Sequence, residues 1–190
     1  MDRTSARGLL VAVLRHAHAG ELAAGNAYRG HAASVSDPGE KSQIRKIEDE
    51  EWVHRRQVGE MLAALGSAPD PVRERKLLRI GKTIAFLCRI GGWYVPMCGA
   101  GRLESHNVKE YEDAADFAVE SGHPEFVECL LEMAEVEWDH EAYFRGKVES
   151  HWLRHVIHVW PAIPPRREIR AGFALRNPGY GAQPREPLAV

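Results

Sequence analysis

Glu51-Trp52-Val53-His54 and Glu137-Trp138-Asp139-His140 repeat one pattern, a glutamate followed three residues later by a histidine. On an α-helix, residues three apart are neighbours on one face, so each pair can present a carboxylate and an imidazole to a single metal ion. Two such helices, joined by two others that each carry a lone glutamate, supply the ligands of a di-metal carboxylate site inside a four-helix bundle. The fold therefore turns on whether the two lone glutamates exist.

Helices in a bundle bury a seam with steps of three and four residues. The seam around the first pair is Ile44, Ile47, Glu51, His54, Val58, Met61 and Leu65. Around the second it is Phe126, Leu130, Met133, Glu137, His140 and Phe144. Both stripes are apolar except for the Glu-x-x-His pair. An earlier helix offers Leu10, Leu14, Ala17, Glu21, Ala24 and Tyr28, and another offers Met97, Gly101, Glu104, Val108, Tyr111, Ala115 and Ala118. Each of these seams carries one carboxylate. Glu110 provides an alternative to Glu104 through Leu103, Asn107, Ala114 and Phe117, and Glu104 is preferred.

Burying an ionised carboxylate without a partner costs several kcal/mol, and its pKa rises instead. Four in one core repel one another, and two divalent cations remove the conflict while accepting oxygen and nitrogen ligands. One Glu-x-x-His in a charged helix, in a chain with 10 histidines, is more often a solvated face. Two in apolar seams, each matched by a seam glutamate elsewhere, favour metal.

Helix signals run along most of the chain, and sustained period-two alternation is missing. The breaks predict helices from Thr4 or Ser5 to about Ala33, from Pro38 behind an Asp37 cap to about Leu65, and from Val72 to about Ile90. Two more are expected from Val95 or Pro96 to Glu120 and from Pro124 to about His151. The expected fold is all-α, a four-helix bundle with an additional helix. Residues 1–152 would form the bundle. Residues 153–190, with 6 of the 11 prolines after position 160, would form an extended Pro/Arg-rich tail, wrapped on the bundle or mobile.

A net charge of −2 gives no basic face for nucleic acid. Cys88, Cys98 and Cys129 contain no Cys-x-x-Cys and fit a reducing compartment. The N-terminus lacks the pattern of a signal peptide, and Leu77 to Met97, the most apolar stretch, carries Arg79, Lys82 and Arg89. These features lead to an expectation of a cytoplasmic protein with a weak membrane-surface contact at that stretch.

His18-Ala19-Gly20-Glu21-Leu22-Ala23-Ala24, followed by Tyr28 and Gly30, and Glu104-Ser105 followed by Tyr111, resemble the demethoxyubiquinone hydroxylase family of the ferritin-like di-iron superfamily. The resemblance spans about residues 10–150. Lys82 and Arg89 interrupt a stretch that is apolar in the family. The resemblance implies two iron ions, with manganese or a mixed pair compatible with the same ligands. Glu51 and Glu137 would bridge or chelate both metals, His54 and His140 would each bind one, and Glu21 and Glu104 would be terminal. It also implies an oxidoreductase that activates O2 and hydroxylates or oxidises a small lipophilic, quinone-like substrate, reached by an apolar tunnel beneath Val72 to Met97. The alternative is a ferritin-like or rubrerythrin-like protein that binds iron or scavenges peroxide. The electron donor is open, as is a homodimer embraced by the tail. Tyr28 and Tyr111 are expected to be buried tyrosines with hydrogen-bond partners, Trp52 and Trp138 packing anchors, and Asp139 either an orienting group for a histidine or an exposed carboxylate. His151, His155 and His158 are expected to be helix-end histidines.

Overall fold

The computed structural model describes residues 2–180, which form α1 (Arg3–Ser34), α2 (Pro38–Ala64), α3 (Pro71–Cys88), α4 (Tyr94–Ser121), α5 (Val127–Glu149) and α6 (Arg167–Arg176). No strand occurs among them. Each helix boundary has a local cause. The side chains of Asp2, Asp37 and Asp70 accept hydrogen bonds from the first exposed amides of α1, α2 and α3, and Pro38 and Pro71 occupy the first helical positions. Gly122 ends α4 with a left-handed φ of 82°. Pro124–Phe126 forms a short 3-10 turn, so α5 begins after the proline rather than at it.

The apolar core falls into two clusters. One contains Leu10, Leu14 and Ala17 of α1, Val58 to Leu65 at the end of α2, Val108 to Ala118 of α4, and Val127 to Ala134 of α5. The other contains Ala24, Tyr28 and Ala32 of α1, Ile44 and Ile47 of α2, Tyr94 and Met97 of α4, and Phe144 and Val148 of α5. The polar seam residues lie between the two clusters in sequence on every helix. The chain therefore crosses one polar layer four times. α1 and α5 run from the first cluster to the second, and α2 and α4 run back. Because α2 and α4 are parallel, the chain must return along the bundle between them, and α3 makes that crossover. One long crossover is the ferritin-like connection.

α3 rides on α1 at two glycines. A Cβ at Gly81 would lie 2.4 Å from the Ala23 carbonyl oxygen, and one at Gly30 would lie 2.4 Å from Ala85 Cα. α1 packs along α2 and against α4, and α4 packs along α5, whereas α2 and α5 touch sparsely.

The extended tail expected after residue 152 is only partly present. Residues 167–176 are helical, and Ile169 and Phe173 of this α6 are buried in the first core cluster. Ahead of it Trp160 inserts into a notch at Gly101 and bonds Glu141 at 2.7 Å. Buried apolar anchors give this segment a reason to order that its proline content conceals. Residues 181–190 of the expected tail lie outside the described residues.

Candidate metal centre

Glu21, Glu51, His54, Glu104, Glu137 and His140 meet in the polar layer, and none is more than 4% exposed. Ligand atoms of Glu21, Glu51, His54 and Glu137 lie within 4.8 Å of one another, as do those of Glu51, Glu104, Glu137 and His140. The two groups share Glu51 and Glu137. These two carboxylates therefore stand between a Glu21–His54 end and a Glu104–His140 end. No other such group of three or more occurs among the described residues.

Glu104, rather than Glu110, enters the layer. Glu110 faces outward and contacts His16 Nδ1 at 2.9 and 3.1 Å. The six-residue step from Glu104 to Glu110 turns the side chain about 120° around α4, out of the layer, which explains the separation.

The partners inside the layer show how the charge is divided. His54 Nδ1 is 3.0 Å from Glu137 Oε1, and His140 Nδ1 is 3.4 Å from Glu51 and 3.7 Å from Glu137. Burial and the charges of Glu51 and Glu137 hold the Glu21 carboxyl well above the usual carboxylate range. Burial and Glu137 do the same to Glu104. Burial would raise Glu137 as well, but its bonds to His140 and His54 outweigh it, and the carboxyl is held well below that range. Burial opposes a proton on His140, yet its contacts with Glu137, Glu50 and Glu51 raise its pKa.

Even so, the layer is not satisfied by protein. Glu21 Oε2, both oxygens of Glu51 and His140 Nδ1 are buried without a hydrogen-bond partner. Such orphaned groups are rare in folded proteins and call for a specific cause. All four belong to the two ligand groups, and their oxygen and nitrogen donors suit divalent iron or manganese. The residues present thus fit a pair of metal ions.

Tyr28 donates to Glu104 and Tyr111 donates to Glu21. The tyrosines thus cross between helices, although each shares a seam with the other glutamate. Seven residues along one helix place the groups about 10 Å apart, whereas antiparallel α1 and α4 set each tyrosine opposite its neighbour's carboxylate. Asn107 Nδ2 donates to Glu104 at 2.9 Å and to Glu137 at 3.3 Å.

Asp139 is outside the layer and pairs with Arg166 at 3.1 Å. The carboxylate that holds a histidine is Glu50, whose Oε2 lies 3.0 Å from His140 Nε2. This bond brings the Glu50 carboxyl down to about 2. Its only sequence signal is adjacency to Glu51, which is too common to be informative. Trp52 packs on Gly25 and Trp138 bonds the Pro164 carbonyl at 2.8 Å. His151 receives the Leu153 amide and stacks on Trp93, so it serves as a cap.

Two cavities reach the layer. One of ≈ 260 Å³ lies between α1, α3 and α4, with Ala17, Ala23, Ala24, Leu77, Ile80, Ile84 and Leu103 as apolar wall and Glu21, Tyr111 and Asn107 at its inner end. The other, of ≈ 240 Å³, opens between α2 and α5 beside His54 and Glu50. The first lies where the tunnel was expected, beneath α3.

No curated protein and no solved structure matches the chain. The segment from α1 through α3 contains Glu21, Glu51 and His54, while Glu104, Glu137 and His140 follow it. The resemblance to ferritin-like di-iron hydroxylases is shown within that segment, for residues 9–87 match the family described as ubiquinone biosynthesis protein COQ7.

Proposed function

We propose that this protein is an O2-activating di-iron hydroxylase whose substrate is a small lipophilic, quinone-like molecule. The observation that carries this reading is the six-residue layer with orphaned donors, opened to an apolar cavity at its Glu21 edge. Glu51 and Glu137, common to both groups, would help hold both irons, with Glu21 and His54 at one end and Glu104 and His140 at the other. When bound, a ferrous pair supplies two electrons to O2.

The chain's own residues prepare that chemistry. Tyr28 and Tyr111 hold the terminal carboxylates of Glu104 and Glu21 in place, and Glu50 fixes the His140 ring through its outward nitrogen, as outer partners of metal-bound histidines commonly do. Apolar walls from α1, α3 and α4 keep water from the reacting face.

The outer surface of α3 supports peripheral contact with a membrane. Ile80, Ile84, Phe86, Leu87 and Ile90 are each at least 40% exposed, with Arg79, Lys82 and Arg89 among them. Ile80 and Ile84 also line the cavity. A lipophilic substrate could then pass from bilayer to site without crossing water. No described helix is long and apolar enough to cross a membrane.

The test is an anaerobic Fe(II) titration, followed by a short-chain hydroquinone or phenol and only then by air. Binding of two irons per chain and a hydroxylated product are expected. Iron oxidation without product from any quinone or phenol would refute the hydroxylase and leave the iron-binding alternative. Flotation with anionic vesicles, weakened by Phe86→Glu, checks the surface contact.

A further inference from the structure

The cavity between α1, α3 and α4 is apolar except at its two ends, and the inner end holds a group that the site has not used. Asn107 sits one turn after Glu104 on α4 and lines the cavity. Its Nδ2 is engaged on both sides, by Glu104 Oε2 at 2.9 Å and Glu137 Oε2 at 3.3 Å. Carboxylates that ligate a metal are ionised and only accept hydrogen bonds, so with metal bound the amide cannot turn over without setting Oδ1 against two carboxylate oxygens. The orientation is therefore fixed by the ligand set itself. Among the described residues no donor reaches Oδ1, and it is not sealed within the protein.

The other polar lining groups are already committed. His16 and Glu110 bond to each other near the surface, and Tyr111 donates to Glu21. Glu21 belongs to the metal-ligand group. Asn107 Oδ1 thus offers a fixed hydrogen-bond acceptor beside the Glu104–Glu137 edge, at the end of an apolar slot.

We infer that Asn107 is a specificity-determining residue: its Oδ1 accepts a hydrogen bond from the ring hydroxyl of the substrate, so the cavity selects a phenol or hydroquinone over a ring that carries only carbonyl or ether oxygens. The inference rests on the proposed function only in taking this cavity as the substrate's. A carbonyl or ether brings no donor and leaves the amide oxygen desolvated beneath the ring, and a site built to pair with a hydroxyl rejects its deletion for that reason. The same amide holds two ligand carboxylates, which places the bound ring against the metal layer and fixes which edge faces it.

The experiment compares equilibrium binding of 4-butylphenol and its methyl ether, 4-butylanisole, to the full chain, by calorimetry and without turnover. The pair differs in the donor and is not reduced or oxidised in the assay. The wild-type protein is expected to bind the phenol about fivefold to tenfold more tightly, the factor one net hydrogen bond provides. Asn107→Leu, with its melting temperature recorded as a check of folding, should bind both with equal affinity. Equal affinities in the wild-type protein overturn the inference and leave the cavity as a binding site, and this measurement does not depend on any variant. A phenol preference that survives Asn107→Leu also overturns it. If the wild-type protein binds neither compound, the cavity itself fails as the substrate site, and the proposed function loses its access path together with the inference.

Discussion

Gly81→Ala tests how α3 is held over the site. The added Cβ would lie 2.4 Å from the Ala23 carbonyl oxygen, 2.7 Å from its Cα and 3.0 Å from its carbonyl carbon. All three atoms are α1 backbone, so no flexible side chain can yield. Ordinary contact begins at 3.4 Å, so α3 must withdraw by about 1 Å. The second close contact, Gly30 against Ala85, resists a pivot and spreads the strain along the crossing. Overpacking of this kind costs about 1–3 kcal/mol. Replacing a helical glycine by alanine returns up to about 1 kcal/mol. A net loss of about 1–2 kcal/mol lowers the melting temperature by about 2–8 °C in a chain of this size. No residue of the polar layer lies on α3, whereas Leu77, Ile80 and Ile84 line the cavity. Iron stoichiometry should therefore stay at the wild-type value while alkylphenol affinity falls. Scanning fluorimetry, iron assay and calorimetry on one preparation measure all three. A variant that melts higher than wild type and binds ligand normally would refute the described crossing of α1 and α3.

Fe(II) or Mn(II) at about 100 times its dissociation constant should stabilise the protein by about 2.7 kcal/mol for each ion bound, and Glu137→Ala should abolish the rise in melting temperature; an unchanged wild-type melting curve counts against the metal layer. Gly101→Ala places a Cβ 2.3 Å from the Trp160 ring and should cost about 1–3 kcal/mol, a cost that shrinks in a Trp160→Ala background because the two residues touch; denaturant unfolding of the four proteins measures that coupling. Burial brings the His31 imidazole down to about 4, below its unfolded value of about 6.5. The unfolded chain thus binds the proton first, and stability is complete above pH ~6.5 and is lost as pH falls toward the folded value. Between pH ~6.5 and pH ~5 His31 should cost about 2 kcal/mol, and His31→Leu should flatten that part of the stability curve in urea titrations.

The polar layer was legible because its residues are related locally. Glu51 with His54, and Glu137 with His140, are related by one helical turn, and the apolar residues three and four positions away fix which face is buried. That periodicity also placed Glu21 and favoured Glu104, whose opposite number Glu110 proved to be on the outer face. The capping aspartates and the prolines behind them marked the starts of α2 and α3 in the same way. Composition, by contrast, does not show packing. Residues 153–190 read as an extended tail because prolines and arginines dominate them, yet Trp160, Ile169 and Phe173 are buried in the core.

Sequence alone therefore determined the first five helices, the buried faces of the bundle and the six residues that share the polar layer, since backbone geometry relates neighbours in the chain to neighbours in space. Tertiary structure decided everything that joins distant residues. It crossed Tyr28 to Glu104 and Tyr111 to Glu21, and it gave His140 its partner in Glu50 rather than Asp139. It seated Gly81 on the α1 backbone and suspended the Asn107 amide between two carboxylates at the end of a cavity. Such contacts depend on how far helices approach and how they are rotated, to within an ångström. Helical periodicity fixes a side chain's face but not the distance to the helix it meets.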